Sequence, residues 1–535
     1  MDKALEIKEK ITAIKPLHDT ALGRIHPYWA RKPLNIIREL IKLFSNEGDI
    51  VCDPFMGCGT TVFGSLLEKR SVIGTDINPL ASLIVQGTLS LRQNPEKKME
   101  TIKEFVRDFN ERVSNWFYDA DGNIIERERY SVNGRFENGD FNLVPSEAVL
   151  KVRAGNHFKG KKTVYLTNGI SLDPGCRELL ESPVNYHECK LVANSRIAIP
   201  QGALLSHYFT EKNIACINSA LKLIDRKQSD QQTKMVLQLF LSSTLPLLRL
   251  SDYKASSQWP YWRPKSNLTS RNPVFVFHRR FKEFQRAQEW LLNNMPPFKL
   301  LENSFDLNIK EGMLTASIQR LSIQEFITKF ANDKVDLVLT DPPYSDQIPY
   351  LEYSSLWIHA LKLHVNQTDW EDEIVKTDAK GRQINNLHYL DKLLTSFEIC
   401  ADILKDGGYL IWFYQDSTIK NWAALYNKSR EKSLNFITVI PMPKQRRSMK
   451  TVTTPGRTFD GDLILVFQKN GNENKNREVK YLSTNSEEII SAVSKVNDLK
   501  SDFFFRYAEL IQDGFKQGWI SKLPEYYNDI RDILR

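Results

Sequence analysis

The chain has 535 residues, more than one ordinary hydrophobic core can hold, so several structural units are expected. With 41% hydrophobic and 26% charged residues it reads as a soluble globular protein: no run reaches the roughly 18 apolar residues of a membrane span. Lys and Arg exceed Asp and Glu by 73 to 65, a net of +8 that is modest over this length, and six scattered cysteines fit reduced thiols better than a disulfide framework.

The opening MDKALEIKEKITAIK is charged throughout and lacks an apolar signal core, which makes the cytoplasm the expected compartment. GDIVCDPF (48–55) predicts a short buried strand, TTVFGSLLEKR (60–70) a helix and SVIGTDIN (71–78) the next strand, together a β-α-β unit. After about residue 90 this alternation stops, and a long mixed segment runs to about 300. It contains a helix at 211–224, with Ile214, Ile217, Leu221 and Ile224 on one face. Cys176, His187 and Cys189 lack both C-x-x-C pairs and a fourth ligand, so no metal is assigned.

Alternation resumes with the strand VDLVLTDPP (335–343), a helix near 390–404, the strand GYLIWFYQD (408–416) and a helix from about 418. The strands NFITVIPM and GDLILVFQK follow, completing an α/β sheet. KNGNENKNR (469–477) reads as a linker before a mostly helical tail. The expected division is residues 1–90 and 301–469 as two halves of one α/β domain, 91–300 as an insert, and 470–535 as linker and tail.

DPFMGCGTT (53–61) ends a strand and opens a helix, so Gly57 and Gly59 stand where a tight turn and close backbone approach are needed. Asp76 ends the next strand, where a carboxylate can bind both ribose hydroxyls of a nucleoside. Val62 stands at the third glycine position of the dinucleotide fingerprint, which argues against NAD. A P-loop lysine is also missing, and Asp53 would repel phosphate. Asp53 and Phe55 suit a cofactor with a cationic group.

The second constellation is DPPY (341–344). Two successive prolines supply no N–H, so the Pro342 carbonyl is an outward acceptor without a local donor. Asp341 is a second acceptor, and Tyr344 brings a flat ring beside both. Two acceptors and a ring describe a receptor for a planar aminated base. Accepting both amine hydrogens favours a tetrahedral nitrogen and frees its lone pair for an electrophilic methyl.

With these two motifs the chain resembles the S-adenosylmethionine-dependent DNA amino-methyltransferases, which modify N6 of adenine or N4 of cytosine. YWARKPLNIIRELIKLFSNEGD (28–49) resembles the lysine-proline helix of that family, and GTDINPLA (74–81) its ribose-binding strand end. The resemblance covers about residues 25–90 and 301–468. It implies a doubly wound, Rossmann-like methyltransferase sheet interrupted by a long target-recognition insert, with a helical C-terminal tail. It assigns Lys32, Asp53, Pro54, Phe55, Gly57, Gly59, Thr60, Asp76 and Asn78 to S-adenosylmethionine, and Asp341, Pro342, Pro343 and Tyr344 to catalysis on the target base. Aspartate at the head of the tetrapeptide leans toward N6-adenine. N4-cytosine, an RNA base, and a catalytically silent nucleic-acid-binding subunit are the alternatives. Two departures stand out: MLTASIQRLS (313–322) offers only Ser317 and Gln319 where the family carries an acid facing the cofactor adenine, and Cys58 replaces a frequent serine.

A base inside a duplex cannot reach such a pocket without being flipped out, so double-stranded DNA, gripped elsewhere on the protein, is the expected partner. From Tyr253 to Arg286 eight basic residues stand against one acid, Glu283, interleaved with aromatics. Trp259, Tyr261, Trp262, Arg263, Lys265, Arg271, Arg279 and Arg280 are the candidate DNA contacts there, although FHRRFKEFQRAQEWL also reads as an ordinary amphipathic helix. Arg446 and Arg447 in the acid-free run 443–457 complete the set. Restriction or defence-system subunits are candidate companions of such an enzyme.

Overall fold

The computed structural model describes residues 3–17, 20–135, 140–154, 157–166, 172–194, 197, 199–227, 230–252, 267–301, 304–305, 313–330, 334–344, 348–377, 379, 382, 384–443, 459, 461–470 and 486–534. Its strands are β1 (Ile50–Asp53), β2 (Ser71–Asp76), β3 (Ile124–Arg135), β4 (Asp140–Ala154), β5 (His157–Tyr165), β6 (Ser251–Asp252) and β7 (Asn267–Arg271). They continue with β8 (Phe298–Leu301), β9 (Leu314–Arg320), β10 (Val335–Thr340), β11 (Leu404–Tyr414), β12 (Leu434–Pro443) and β13 (Gly461–Lys469). Eight of them form one sheet in the order β12-β13-β11-β10-β1-β2-β9-β8. Every neighbouring pair from β8 to β11 is parallel, whereas β13 runs antiparallel between β11 and β12.

Helices cover both faces of this sheet, which is why its central strands are apolar almost throughout. In β11, Leu410, Trp412 and Tyr414 join one core while Ile411 and Phe413 join another, the period of two that a doubly covered strand requires. The helix Leu34–Phe44 sets Ile36, Ile37, Leu40, Ile41 and Phe44 against Val51, Leu337 and Leu339 on one face. On the other, helices Asn386–Asp402, Ile419–Glu431 and Phe503–Gln517 pack together.

The last of these belongs to the stretch expected as a tail, and it is integral to the domain. Tyr507 donates to the Asp416 carbonyl at 3.2 Å, and the Gln512 side chain accepts from the Val439 amide of β12. The expected division after residue 90 is likewise not a break in packing. Helices Pro95–Val113, Glu211–Arg226, Gln231–Leu248 and Pro273–Asn294 share one apolar core with the helix Pro79–Ser90. Gly87 marks the closest approach, since a Cβ there would come within 2.9 Å of Leu239. The same stretch also carries a second sheet, antiparallel, in the order β5-β4-β3-β7-β6.

Candidate active site

From β1 the chain steps outward through β2 toward β9, while β10 and β11 extend the opposite side. Between β1 and β10 lies the topological switch point at which open α/β sheets bind ligands, at the carboxyl ends of the strands. A cleft of about 890 Å³ opens there, lined by Asp53, Phe55, Gly57 and Asp76 from one half and by Asp341 and Pro343 from the other. Two motifs some 280 residues apart thus share one cavity.

On the first side, Asp53 closes β1 and is buried. One of its oxygens accepts from Thr340 Oγ1 at 2.7 Å and from the Phe55 amide at 3.1 Å. Burial pushes its carboxyl up to about 7 against those hydrogen bonds. Gly57 has φ +50°, and a Cβ there would stand 3.2 Å from the Tyr28 ring. Gly59, at φ +82°, caps the helix Thr60–Leu67 at its start. Asp76 pins the turn: its oxygens accept from the Gly57 amide at 2.9 Å and the Asn78 amide at 2.8 Å, and burial raises it to about 6. The buried Asp53 and the half-buried Asp76, both with raised pKa values, flank a turn opened by two glycines and form a donor-seeking, cation-tolerant cradle. That chemistry fits a ligand bearing hydroxyls and a positive centre.

On the second side, Asp341 follows β10, and its side chain keeps 23% exposure at the cleft floor. Its Oδ2 meets Lys32 Nζ at 3.0 Å, whereas its Oδ1 is buried without a hydrogen-bond partner among the described residues. Burial raises this carboxyl to about 6, opposed by the Lys32 charge. Lys32 also donates to Asp462 at 2.8 Å and to the Tyr344 hydroxyl at 3.1 Å. Burial would lower its pKa, but the two carboxylates outweigh burial and raise it. Tyr389 steadies the proline corner by donating to the Pro343 carbonyl at 3.0 Å. The Tyr344 ring stands edge-on to Tyr414.

Of the other residues singled out from sequence, Pro54 and Thr60 line the cleft. Lys32 reaches it too, and its bonds are to the acceptor side rather than to the glycine turn. Gly59 packs under the turn, where a Cβ would meet Val85 at 2.6 Å. Asn78 is fully buried; it caps the helix Pro79–Ser90 and donates to Ser354 Oγ at 2.8 Å. Ser317 and Gln319 are buried within β9, and the cleft is lined instead by Leu321, Ser322 and Ile323 just beyond it.

Arg279 is exposed and Arg271 half-buried, with an N–H to the Leu247 carbonyl at 3.1 Å. Arg280 requires correction as a surface contact. It is buried, bonding Ser243 Oγ at 3.0 Å and the carbonyls of Arg24 and Ile25, so it serves the interior. Trp259, Tyr261, Trp262, Arg263, Lys265, Arg446 and Arg447 lie outside the described residues.

Sequence reasoning missed Tyr28 and Tyr350, whose rings stack at 5.9 Å along the cleft wall, and the acids Asp372 and Glu373. Tyr350 stands only six residues beyond DPPY, so proximity could have flagged it. Asp462 carried no such signal.

A family model described as DNA methylase matches residues 6–86 and 335–502. The type II methyltransferase M.MjaII of Methanocaldococcus jannaschii is 23% identical over 337 residues, covering 61% of this chain and 60% of that relative. Type II methyltransferase M.MjaI of the same organism is 39% identical over 72 residues, 13% of this chain and 24% of its own length. M.HpaI of Haemophilus parainfluenzae, also a type II methyltransferase, is 48% identical over 52 residues, 10% and 17% of the two chains. The chain therefore spans less than two thirds of each of these relatives. Similarity falls on DNA methyltransferases of the N6/N4 class from type II systems, which use S-adenosylmethionine as methyl donor.

Proposed function

We propose that this protein is a site-specific DNA methyltransferase that transfers a methyl group from S-adenosylmethionine to the exocyclic N6 of a flipped-out adenine in double-stranded DNA. The observation that carries the reading is the buried, unpartnered Oδ1 of Asp341 in the cleft it shares with the glycine turn. S-adenosylmethionine, when bound, supplies an electrophilic methyl on a sulfonium sulfur. Asp53, Pro54, Phe55, Gly57, Gly59, Thr60 and Asp76 form the cradle for it: the carboxylates attract its cationic and hydroxyl-bearing parts, and the glycines allow close approach. Asn78 supports that cradle from behind through the helix it caps.

Asp341 Oδ1 accepts one N–H of the target amine and the Pro342 carbonyl the other. Each hydrogen bond favours a pyramidal nitrogen, so the lone pair localises before attack, and the proton that the methylated nitrogen then sheds passes by way of its hydrogen-bonded acceptor to solvent. Tyr344 and the walls of the cleft exclude water around the base. Extruding the base costs a few kcal/mol, which contacts to the duplex from residues 91–300 must offset, Arg271 and Arg279 among them.

The test is incubation of the purified protein with labelled S-adenosylmethionine and duplex DNA, followed by mass analysis of the digested nucleosides. N6-methyladenine is expected. Finding 4-methylcytosine alone would reject adenine in favour of the cytosine reading, label in RNA alone would reject DNA, and no transfer with no cofactor binding would leave a silent binding subunit.

A further inference from the structure

The antiparallel course of β13 has a topological result. A strand running against its neighbours begins where they end, so the first residues of β13 stand at the same carboxyl edge as Asp53 and Asp341. The second of them, Asp462, is buried at 7% exposure and bonds Lys32 Nζ at 2.8 Å. Gly461 lets it approach: a Cβ there would run into Phe504 and the Met442 carbonyl, so this point is clamped between β12 and the helix Phe503–Gln517. Lys32 in turn holds Oδ2 of Asp341 at 3.0 Å, and the buried Oδ1 is left without a hydrogen-bond partner among the described residues. Phe413 and Tyr344 present their rings to the same ammonium, at 5.3 and 5.1 Å, which leaves it little freedom to wander.

Building on the proposed reaction, we infer that Asp462 is a positioning residue: it anchors Lys32, and Lys32, together with the Tyr344 hydroxyl, fixes the rotation of the Asp341 carboxylate so that Oδ2 is held and Oδ1 keeps its acceptor capacity for the incoming amine. A carboxylate with both oxygens free would rotate, and misplacement by about 1 Å in such a site costs on the order of 100-fold in rate. Asp462 also adds a second negative charge beside Asp341 and so opposes its ionisation.

The test is a double-mutant cycle on the full chain. Asp462→Asn is expected to lower kcat by about ten- to 100-fold, with S-adenosylmethionine and DNA affinities within threefold of wild type. It should also move the acidic limb of the kcat profile to lower pH, because a negative neighbour of Asp341 is gone. In the Lys32→Gln background the same change should cost no further kcat above the acidic limb, since its positioning effect passes through Lys32. Asp462→Glu should restore part of kcat. Equal kcat and pH profile for Asp462→Asn and wild type would overturn the inference, as would a further loss on adding Asp462→Asn to Lys32→Gln. That comparison serves even where Asp462→Asn alone folds poorly, because it is made between two proteins that both lack the ammonium. Absence of transfer by the wild type would instead refute the proposed reaction itself.

Discussion

Asp341→Ala separates chemistry from binding. In the folded protein Asp341 is held near a pKa of about 6, roughly two units above a free aspartate, so keeping it ionised at neutral pH costs about 3 kcal/mol. Truncation removes that cost, in which the attraction of Lys32 is already counted. Lys32 still has Asp462, so no cation is left alone. Truncation should therefore not lower thermal stability by more than a few degrees. The loss appears in turnover: removing a preorganised acceptor should lower kcat by about 100- to 10,000-fold. S-adenosylmethionine affinity, measured calorimetrically, should move less than threefold. Asp76→Ala should do the reverse, weakening cofactor binding about ten- to 100-fold through lost hydrogen bonds. Methyl transfer within threefold of wild type in Asp341→Ala, or equal loss of cofactor affinity in both variants, would refute the division of labour across the cleft.

Gly59→Ala should destabilise the protein by about 2–5 kcal/mol, combining left-handed strain with the collision against Val85, as read from chemical unfolding. Arg280→Ala should cost about 3 kcal/mol of stability, because it leaves two backbone carbonyls and Ser243 without their donor, while the salt dependence of DNA binding stays unchanged. Stability of the cofactor-free protein should respond to pH through Asp53. Its folded pKa of about 7 lies above the unfolded value, so the folded state holds the extra proton, and stability falls as pH rises through about 4 to 7. The full swing is at most about 4 kcal/mol. His26, lowered to about 3 by burial, acts oppositely below its ordinary value, so the informative quantity is the difference between wild type and Asp53→Asn. A melting temperature that changes identically with pH in both would contradict the burial of an ionisable Asp53.

Local chemistry carried much of this protein's design. DPFMGCGTT and DPPY each announce a strand end, because glycine and proline restrict the backbone within a few residues and need no distant partner to do so. The β-α-β unit and the strands from 335 to 469 were readable for the same reason: apolar runs of strand length bounded by turn residues have few other folds open to them. The long antiparallel strands Ile124–Arg135 and Asp140–Ala154 were not readable. They alternate charged and apolar residues irregularly, with bulges that break the period of two.

What tertiary structure alone decided is which side chains meet. Arg279 and Arg280 are neighbours in one basic run, yet one faces solvent and the other is buried against backbone carbonyls, a choice made by the helix packing on the segment before Leu34. Asp462 is the second residue of its strand, and only the reversed direction of that strand carries it to Lys32. Backbone preference acts within a few residues and is therefore written in the sequence. Proximity across hundreds of residues is set by strand order and direction, which no local pattern encodes.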